Sequence, residues 1–379
     1  VFSVEDHQYM ARALQLAARG IYTTSPNPNV GCVLVAQGHI VGEGYHHRAG
    51  GPHAEVHALR MAGEKARGAT AYVTLEPCSH FGRTPPCANA LIEAGVSRVV
   101  AAMVDPNPQV AGRGLRRLAD VGIETASGLM QAEAEALNRG FLQRMRTGRP
   151  YVRVKLAASL DGKTALANGE SQWITSPAAR ADVQRWRAAS SAILTGAATV
   201  VRDNPSLNVR WSDLPESVRA DYPEAELRQP VRIVIDSQRR LSREARLFQL
   251  PGAVWLARTD PAVPGGDPLG QIPDTELLFT PADPLGKVQL PLLLQHLAAR
   301  NINDLWVEAG ATLAGALLQA GLVDELIVYL APKLMGHDAQ SLIRLPEFHH
   351  MTDVLHWQWH DVRPVGDDLR LILRPRKEF

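Results

Sequence analysis

Cysteine is scarce in this chain: Cys32, Cys78 and Cys87 are the only three in 379 residues. Three thiols cannot build a disulfide framework for a protein of this size, so a reducing compartment, the cytoplasm, is expected. Long apolar runs are also missing. No segment approaches the ~20 apolar residues of a membrane-spanning helix. The opening stretch sets Glu5, Asp6 and His7 ahead of its apolar residues, which is not the layout of a secretory signal. Position 1 is Val rather than Met, which reads as a processed or trimmed start. Neither sign of charge is in excess: 40 Lys and Arg face 39 Asp and Glu, for a net +1. A whole-chain field that would recruit nucleic acid or a membrane surface is therefore excluded. Aromatic residues are 6% of the chain, too few for a base-stacking stripe.

What is present is an ordinary globular composition, 45% hydrophobic and 21% charged, long enough for two domains with a core each. The first twenty residues read as an amphipathic helix, with Tyr9, Met10, Ala13, Leu14 and Ala17 sharing a face at helical spacing. Residues 28–45 read as a strand hairpin turning at Gln37-Gly38, 53–62 as a helix stopped by Gly63, and 69–75 as a buried strand. A helix is expected over 86–94, a strand over 99–104 and a helix over 115–121. The string from Leu142 to Pro150 breaks the pattern at Gly148 and Pro150, which divides the chain into 1–147 and 148–379. Five basic residues fall between Arg144 and Lys155. They read as a solvated linker running into the polar side of a strand, with a phosphate-binding edge as the alternative. The second half predicts strands at 151–157, 191–195, 231–236, 253–257, 304–308 and 325–331, helices at 177–188, 289–300 and 311–320, and loops over 203–230 and 259–275. Alternating strands and helices imply α/β layers in both halves.

The chemistry is most explicit at His53-Ala54-Glu55, Pro77-Cys78 and Cys87. One imidazole and two thiolates are zinc ligands. A protein ligand count of three leaves the open position of a catalytic site, where bound water reaches a pKa of about 7. Glu55, two residues past the ligand, is the candidate proton shuttle. The pattern is that of zinc nucleobase deaminases, except that eight residues rather than two separate Cys78 and Cys87. Cys32, inside an apolar strand, reads as core. His57 shares a helix face with His53 and reads as a packed, hydrogen-bonded neighbour of the metal. In the second half no G-x-G-x-x-G follows a strand, so the common dinucleotide fingerprint is absent. The strand Leu305–Glu308 runs into Gly310-Ala311-Thr312-Leu313-Ala314-Gly315. That is either a helix start offering N–H groups to an anion or close helix–strand packing.

The strings PNPNVGCVLV, GEGYHHRAGGPHAEVHAL, YVTLEPCSHFGRTPPC and MVDPNPQVAGRG, with KLAASLDGKTA, SQWITS, WVEAGATLAGALL and LIVYLAPKLMG, resemble the bifunctional deaminase–reductase family of riboflavin biosynthesis over almost the whole chain. The family's spacing between its two cysteines is the one found here. The resemblance implies a cytidine-deaminase-like three-layer domain followed by a dihydrofolate-reductase-like domain. It further implies Zn2+ on His53, Cys78 and Cys87, with Glu55 as shuttle, and NADPH in the second half. The implied substrate is 2,5-diamino-6-ribosylamino-pyrimidinone 5′-phosphate, deaminated first and then reduced from ribosyl to ribityl.

By position in the matching motifs, Asn27, His46 and Arg83 would hold the substrate in the deaminase; many relatives carry Lys where Arg83 stands. In the reductase, Lys155, Ser171, Arg187, Leu207, Arg210 and Glu308 would meet substrate, with Arg187 and Arg210 clamping its phosphate. Ala157, Trp173, Thr199, Asp203, Ser237 and the stretch Gly310, Ala311, Thr312, Leu313, Ala314, Gly315 and Ala316 would meet cofactor. For Trp173 core packing is the plain alternative, and for Arg187 a solvated helix face. Either Lys155 or Asp203 would stabilise the carbonyl oxygen, and no basic residue is assigned to the cofactor's 2′-phosphate. A homo-oligomer through the reductase half is expected. A nucleic-acid deaminase would need the missing basic, aromatic stripe. A deaminase whose second half is only an oligomerisation scaffold is the remaining alternative.

Overall fold

The computed structural model describes residues 2–79, 85–107, 111–259 and 266–376. Two compact units result, 1–148 and 149–379.

The first unit begins with α1 (Val4–Ala18), whose Ser3 accepts from the Asp6 N–H while the Asp6 carboxylate accepts from the Ser3 N–H. That reciprocal pair satisfies two donors at the helix end. The unit continues through β1 (Gly31–Ala36), β2 (His39–Tyr45), α2 (Ala54–Ala62), β3 (Thr70–Val73), α3 (Cys87–Ala94), β4 (Arg98–Ala101), α4 (Arg113–Asp120), β5 (Glu124–Ser127), α5 (Gln131–Leu137) and α6 (Arg139–Thr147). The sheet order is β2-β1-β3-β4-β5. β1 is antiparallel to β2 and β3, and β3, β4 and β5 are parallel. Alternation along β1 sends Val33 and Val35 to a core with Met10, Ala13 and Leu14 of α1, and Cys32 and Leu34 to a core with Ala54, Ala58 and Leu91 of α2 and α3. The sheet is thus sandwiched between helices, three layers deep.

Helices α5 and α6 were not expected. Helix α6 runs on to Thr147, and Gly148, at φ 68°, caps it. The helical signal was present in Met130, Ala134, Leu137 and Phe141, which pack on one core at helical spacing.

The second unit contains β6 (Tyr151–Ser159), β7 (Lys163–Ala165), α7 (Pro177–Ala189), β8 (Ala192–Gly196), α8 (Ala197–Asp203), the single turn α9 (Glu216–Arg219), β9 (Val231–Ile235), β10 (Val254–Arg258), β11 (Thr275–Phe279), α10 (Leu290–Ala299), β12 (Asp304–Glu308), α11 (Ala311–Gln319), β13 (Glu325–Ala331), β14 (Gln340–Ser341), β15 (Trp357–Val365) and β16 (Asp368–Pro375). Nine strands form one sheet, ordered β11-β10-β9-β8-β12-β6-β13-β16-β15. The block from β11 to β13 is parallel, and β16 and β15 close it antiparallel. α10 and α11 cover one face of the central strands and α7 the other.

The basic run is not a solvated linker. Arg149 forks onto Asp324, and Arg153 lies between Asp304 at 2.7 Å and Glu325 at 2.9 Å. These partners come from strands that flank β6 only after folding. Helices α8 and α9 and strands β5, β7, β11, β14, β15 and β16 were not expected. β5 is a short edge strand, and β15 is exposed at most positions, so neither shows the alternation of a half-buried strand.

Candidate active sites

In the first unit, His53 is the N-cap of α2, Cys87 opens α3, and Cys78 follows β3. Two helix N-termini and a strand end therefore converge on one point, which favours anionic ligands. The three ligand atoms lie within 4.8 Å of one another. His53 Nδ1 is 3.2 Å from Cys87 Sγ and 3.7 Å from Cys78 Sγ. A tetrahedral zinc with ordinary bonds needs ligand–ligand edges of about 3.5–3.8 Å, so the triangle fits the ion. The Cys87 N–H donates to Cys78 Sγ at 3.2 Å, as suits a thiolate. The Cys87 thiol and His53 hold the Cys78 thiol down at about 4 against its burial, while Cys78 and burial push Cys87 up. Glu55 is 3% exposed. Burial pushes its carboxyl up, against the pull of His53.

Helix α2 reaches this position because β2 has no side chains in its way. A Cβ on Gly44 would lie 2.5 Å from His57 Cβ and 2.8 Å from the Ala54 carbonyl, and one on Gly42 would lie 2.2 Å from the Ala58 carbonyl. His46 is buried with its Nδ1 at 3.0 Å from the Pro52 carbonyl, so that nitrogen carries the proton. Its Nε2 then accepts from Asn27 Nδ2 at 3.0 Å, and its ring lies edge-on to His53 at 5.5 Å. The structure brings Asn27 and His46 to the zinc triangle; Arg83 lies outside the described residues. His57 differs from expectation. It stacks on His47 at 4.2 Å, and its Nε2 is buried with no hydrogen-bond partner among the described residues.

Two supports were missed in the sequence. Glu76 is buried beside the ligand loop and accepts from four backbone N–H groups, those of Asp105, Gly112, Gly114 and Leu115. Asn138, where α5 meets α6, exchanges two hydrogen bonds with the Asn29 backbone and so fixes the loop carrying Asn27. Neither carries a sequence signal, because each acts through backbone groups far along the chain.

In the second unit a cavity of about 830 Å³ opens at the C-terminal ends of β6, β12 and β8, where ligands bind in open parallel sheets. Lys155, Ala157, Ser171, Trp173, Thr199, Asp203, Leu207, Arg210, Glu308, Gly310 and Ala311 all line it. The Glu308 carboxylate accepts from Arg187 Nε at 2.6 Å, Arg187 Nη2 at 2.7 Å and Trp306 Nε1 at 2.8 Å. Burial raises its pKa, but Arg187 and Lys155 outweigh that and hold it at about 2. Burial lowers the pKa of Lys155, opposed by Glu308. Trp173 is 63% exposed, with the Arg180 guanidinium 4.4 Å over its ring, so it is not a core residue.

Some expected contacts look elsewhere. Arg187 lines the cavity with Nε, Nη1 and Nη2 each donating to Glu308 or the Asn208 carbonyl, so it is not a solvated helix face. Ser237 Oγ accepts from the Val288 N–H and does not line the cavity. Beyond Gly310 and Ala311 the α11 stretch turns away. Ala314 is fully buried in the core, Gly315 backs onto the Arg344 carbonyl, and Thr312 and Ala316 are exposed. Leu313 packs against the same core. Helix periodicity turns these side chains aside; only the first turn's backbone faces the cavity. NADPH fits this donor set, since an unobstructed helix start and a cationic lining suit a phosphate-bearing dinucleotide.

A three-layer unit with a His, Cys and Cys triangle at two helix starts, joined to a parallel-sheet unit with a cationic cavity, defines a zinc deaminase coupled to a nucleotide-dependent reductase. Residues 3–103 match the cytidine and deoxycytidylate deaminase zinc-binding region, and residues 150–371 match the RibD C-terminal domain. The riboflavin biosynthesis protein RibD of Escherichia coli K12 is 61% identical over 98% of this chain and 99% of its own. That of Haemophilus influenzae is 54% identical over 99% of both. Among solved structures, Acinetobacter baumannii RibD superposes with a TM-score of 0.90 at 46% identity, covering 98% of this chain and 99% of that one. A Thermotoga maritima diaminohydroxyphosphoribosylaminopyrimidine deaminase/5-amino-6-(5-phosphoribosylamino)uracil reductase gives 0.84 at 32% identity over the same shares. The chain belongs to the RibD family, bifunctional enzymes that join a zinc-dependent deaminase to an NADPH-dependent reductase of the dihydrofolate-reductase-like fold. The scaffold alternative is set aside by the family match of the second half. Among the described residues no helix is long and apolar enough to cross a membrane.

Proposed function

We propose that the first unit hydrolyses the 2-amino group of 2,5-diamino-6-ribosylamino-pyrimidinone 5′-phosphate and that the second reduces the product's ribosyl group to ribityl. The observation that carries this reading is that each half holds its own chemically complete site. One is the zinc triangle with buried Glu55; the other is the cationic cavity with Lys155 facing Glu308.

His53, Cys78 and Cys87 would hold zinc, which when bound would supply the Lewis acidity that makes water acidic near neutral pH. Glu55 takes the proton of the attacking water and returns it to the exocyclic nitrogen, which leaves as ammonia while oxygen takes its place on the ring. Asn27, held by neutral His46, positions the pyrimidine, and Arg83 completes the set. In the second unit the cofactor-side residues would hold NADPH, which would supply a hydride to C1′ of the ribosylamino group as the bond from C1′ to the ring oxygen breaks. Lys155 donates the proton that the freed ring oxygen gains, which leaves a hydroxyl on the ribityl chain; its lowered pKa suits it for this, whereas Asp203 is committed to Arg202. Glu308, fixed by Arg187, orients the sugar. Ser171, Leu207 and Arg210 complete the substrate side, and Ala157, Trp173, Thr199, Asp203 and the start of α11 the cofactor side. The chain works in the cytoplasm as a homo-oligomer through the second unit. Free cysteines and the exposed Trp359 and Val362 on edge strand β15 support that reading.

Purified protein given the diaminopyrimidinone substrate and NADPH should show a shift in pyrimidine absorbance followed by loss of nicotinamide absorbance. A pyrimidine shift without NADPH consumption removes the reductase assignment. No change in zinc-loaded protein removes the substrate.

A further inference from the structure

The lining of the second-unit cavity has more cations than its carboxylates match. Three carboxylates each hold one arginine: Glu308 holds Arg187, Asp203 holds Arg202, and Asp213 holds Arg210. Three cationic side chains on the same wall remain, Lys155, Arg180 and Arg246. Lys155 faces Glu308. Arg180 donates to the Thr175 carbonyl at 2.8 Å and lies over Trp173. Among the described residues, the Arg246 guanidinium has no hydrogen-bond acceptor and no carboxylate partner.

Arg246 stands at a definite end of the cavity. Neighbouring strands run β6, β12, β8, β9. Lys155 is on β6, Glu308 and Gly310 are at the end of β12, and β8 leads into α8 with Thr199 and Asp203. Arg246 comes from the segment after β9. Its backbone N–H donates at 2.8 Å to Oδ1 of Asn204, the residue that caps α8 at φ 43°. Three strand spacings amount to about 14 Å, which a dinucleotide bridges and a single phosphorylated ribosylaminopyrimidine does not. A nicotinamide beside Lys155 and a pyrophosphate at the Gly310 helix start therefore leave the adenosine ribose on the β9 side. A 2′-phosphate there brings a dianion to a planar guanidinium fork suited to it.

We propose that Arg246 is the counter-ion of the cofactor's 2′-phosphate and sets the preference of this enzyme for NADPH over NADH. The proposal rests on the reductase reading above, and binding separates the two. Dissociation constants of NADPH, NADH, adenosine 2′,5′-bisphosphate and AMP would be measured by titration calorimetry on the two-unit chain and on R246A and R246K. R246A should weaken NADPH and the 2′,5′-bisphosphate by about ten- to a hundredfold and leave NADH and AMP within about twofold. R246K, which keeps charge without the fork, should fall between and guards against a folding defect in R246A. Equal weakening of NADPH and NADH overturns the assignment. So does an unchanged NADPH constant with a raised KM for the pyrimidine substrate, which would give Arg246 to the substrate's phosphate. If the wild-type chain binds neither dinucleotide, the reductase reading falls and this inference with it. If it prefers NADPH and R246A does so equally, only the inference falls.

Discussion

Glu55 illustrates how much one buried carboxyl is asked to do. At 3% exposure, beside His53, it has the elevated proton affinity a shuttle needs. Glu55→Gln keeps the shape and removes the basic oxygen, so deamination should fall by at least about a hundredfold while zinc content and the reductase rate hold. Loss of zinc in that variant would show Glu55 to be a structural prop. Glu308 makes a different prediction. Its carboxyl is held at about 2, below the ordinary value near 4.3. The stability it contributes is therefore complete above about pH 4.5 and lost as pH falls towards 2. Glu308→Gln should flatten the urea midpoint across that window; a curve parallel to wild type would remove the Arg187 pairing as its cause. The zinc ligands were legible because their chemistry lies in residue type and spacing. The fork of Arg187 on Glu308 was not, because the partners are 121 residues apart and a helix arginine carries no mark of its acceptor.

Helix α2 can sit against β2 only because positions 42 and 44 of that strand lack a Cβ. Gly44→Ala should push the helix start outward, at a cost on the order of 1–3 kcal/mol, and loosen zinc. Competition with a metallochromic chelator should show a weaker zinc constant, and an unchanged constant would mean the helix is positioned by other contacts. Most helices and central strands of both units were readable from apolar periodicity, since burial of one face imposes it. The edges were not. β15, exposed along most of its length, has no buried face to announce it, and α6 was hidden behind a cluster of arginines. The start of α11 was legible as a helix entry, but the sequence stretch beyond it misled: Ala314 and Gly315 are small because they pack against the protein itself.

The two units carry separate cores and separate sites. Metal should therefore act on one of them. Zinc binds the folded first unit through three side chains drawn from distant points of the sequence, so its removal withdraws binding free energy from that unit. In calorimetry, a strong chelator should lower one transition and leave the other in place; a uniform shift of the whole profile would show that the units unfold as one. The second unit has its own sensitivity. A cavity wall that holds more guanidinium and ammonium than carboxylate behaves as a small anion exchanger. Inorganic phosphate and sulfate become weak inhibitors of the reductase, and the choice of buffer becomes part of the kinetics. Raising phosphate at constant ionic strength should slow NADPH oxidation through a higher apparent KM, with the deaminase as the control in the same solution.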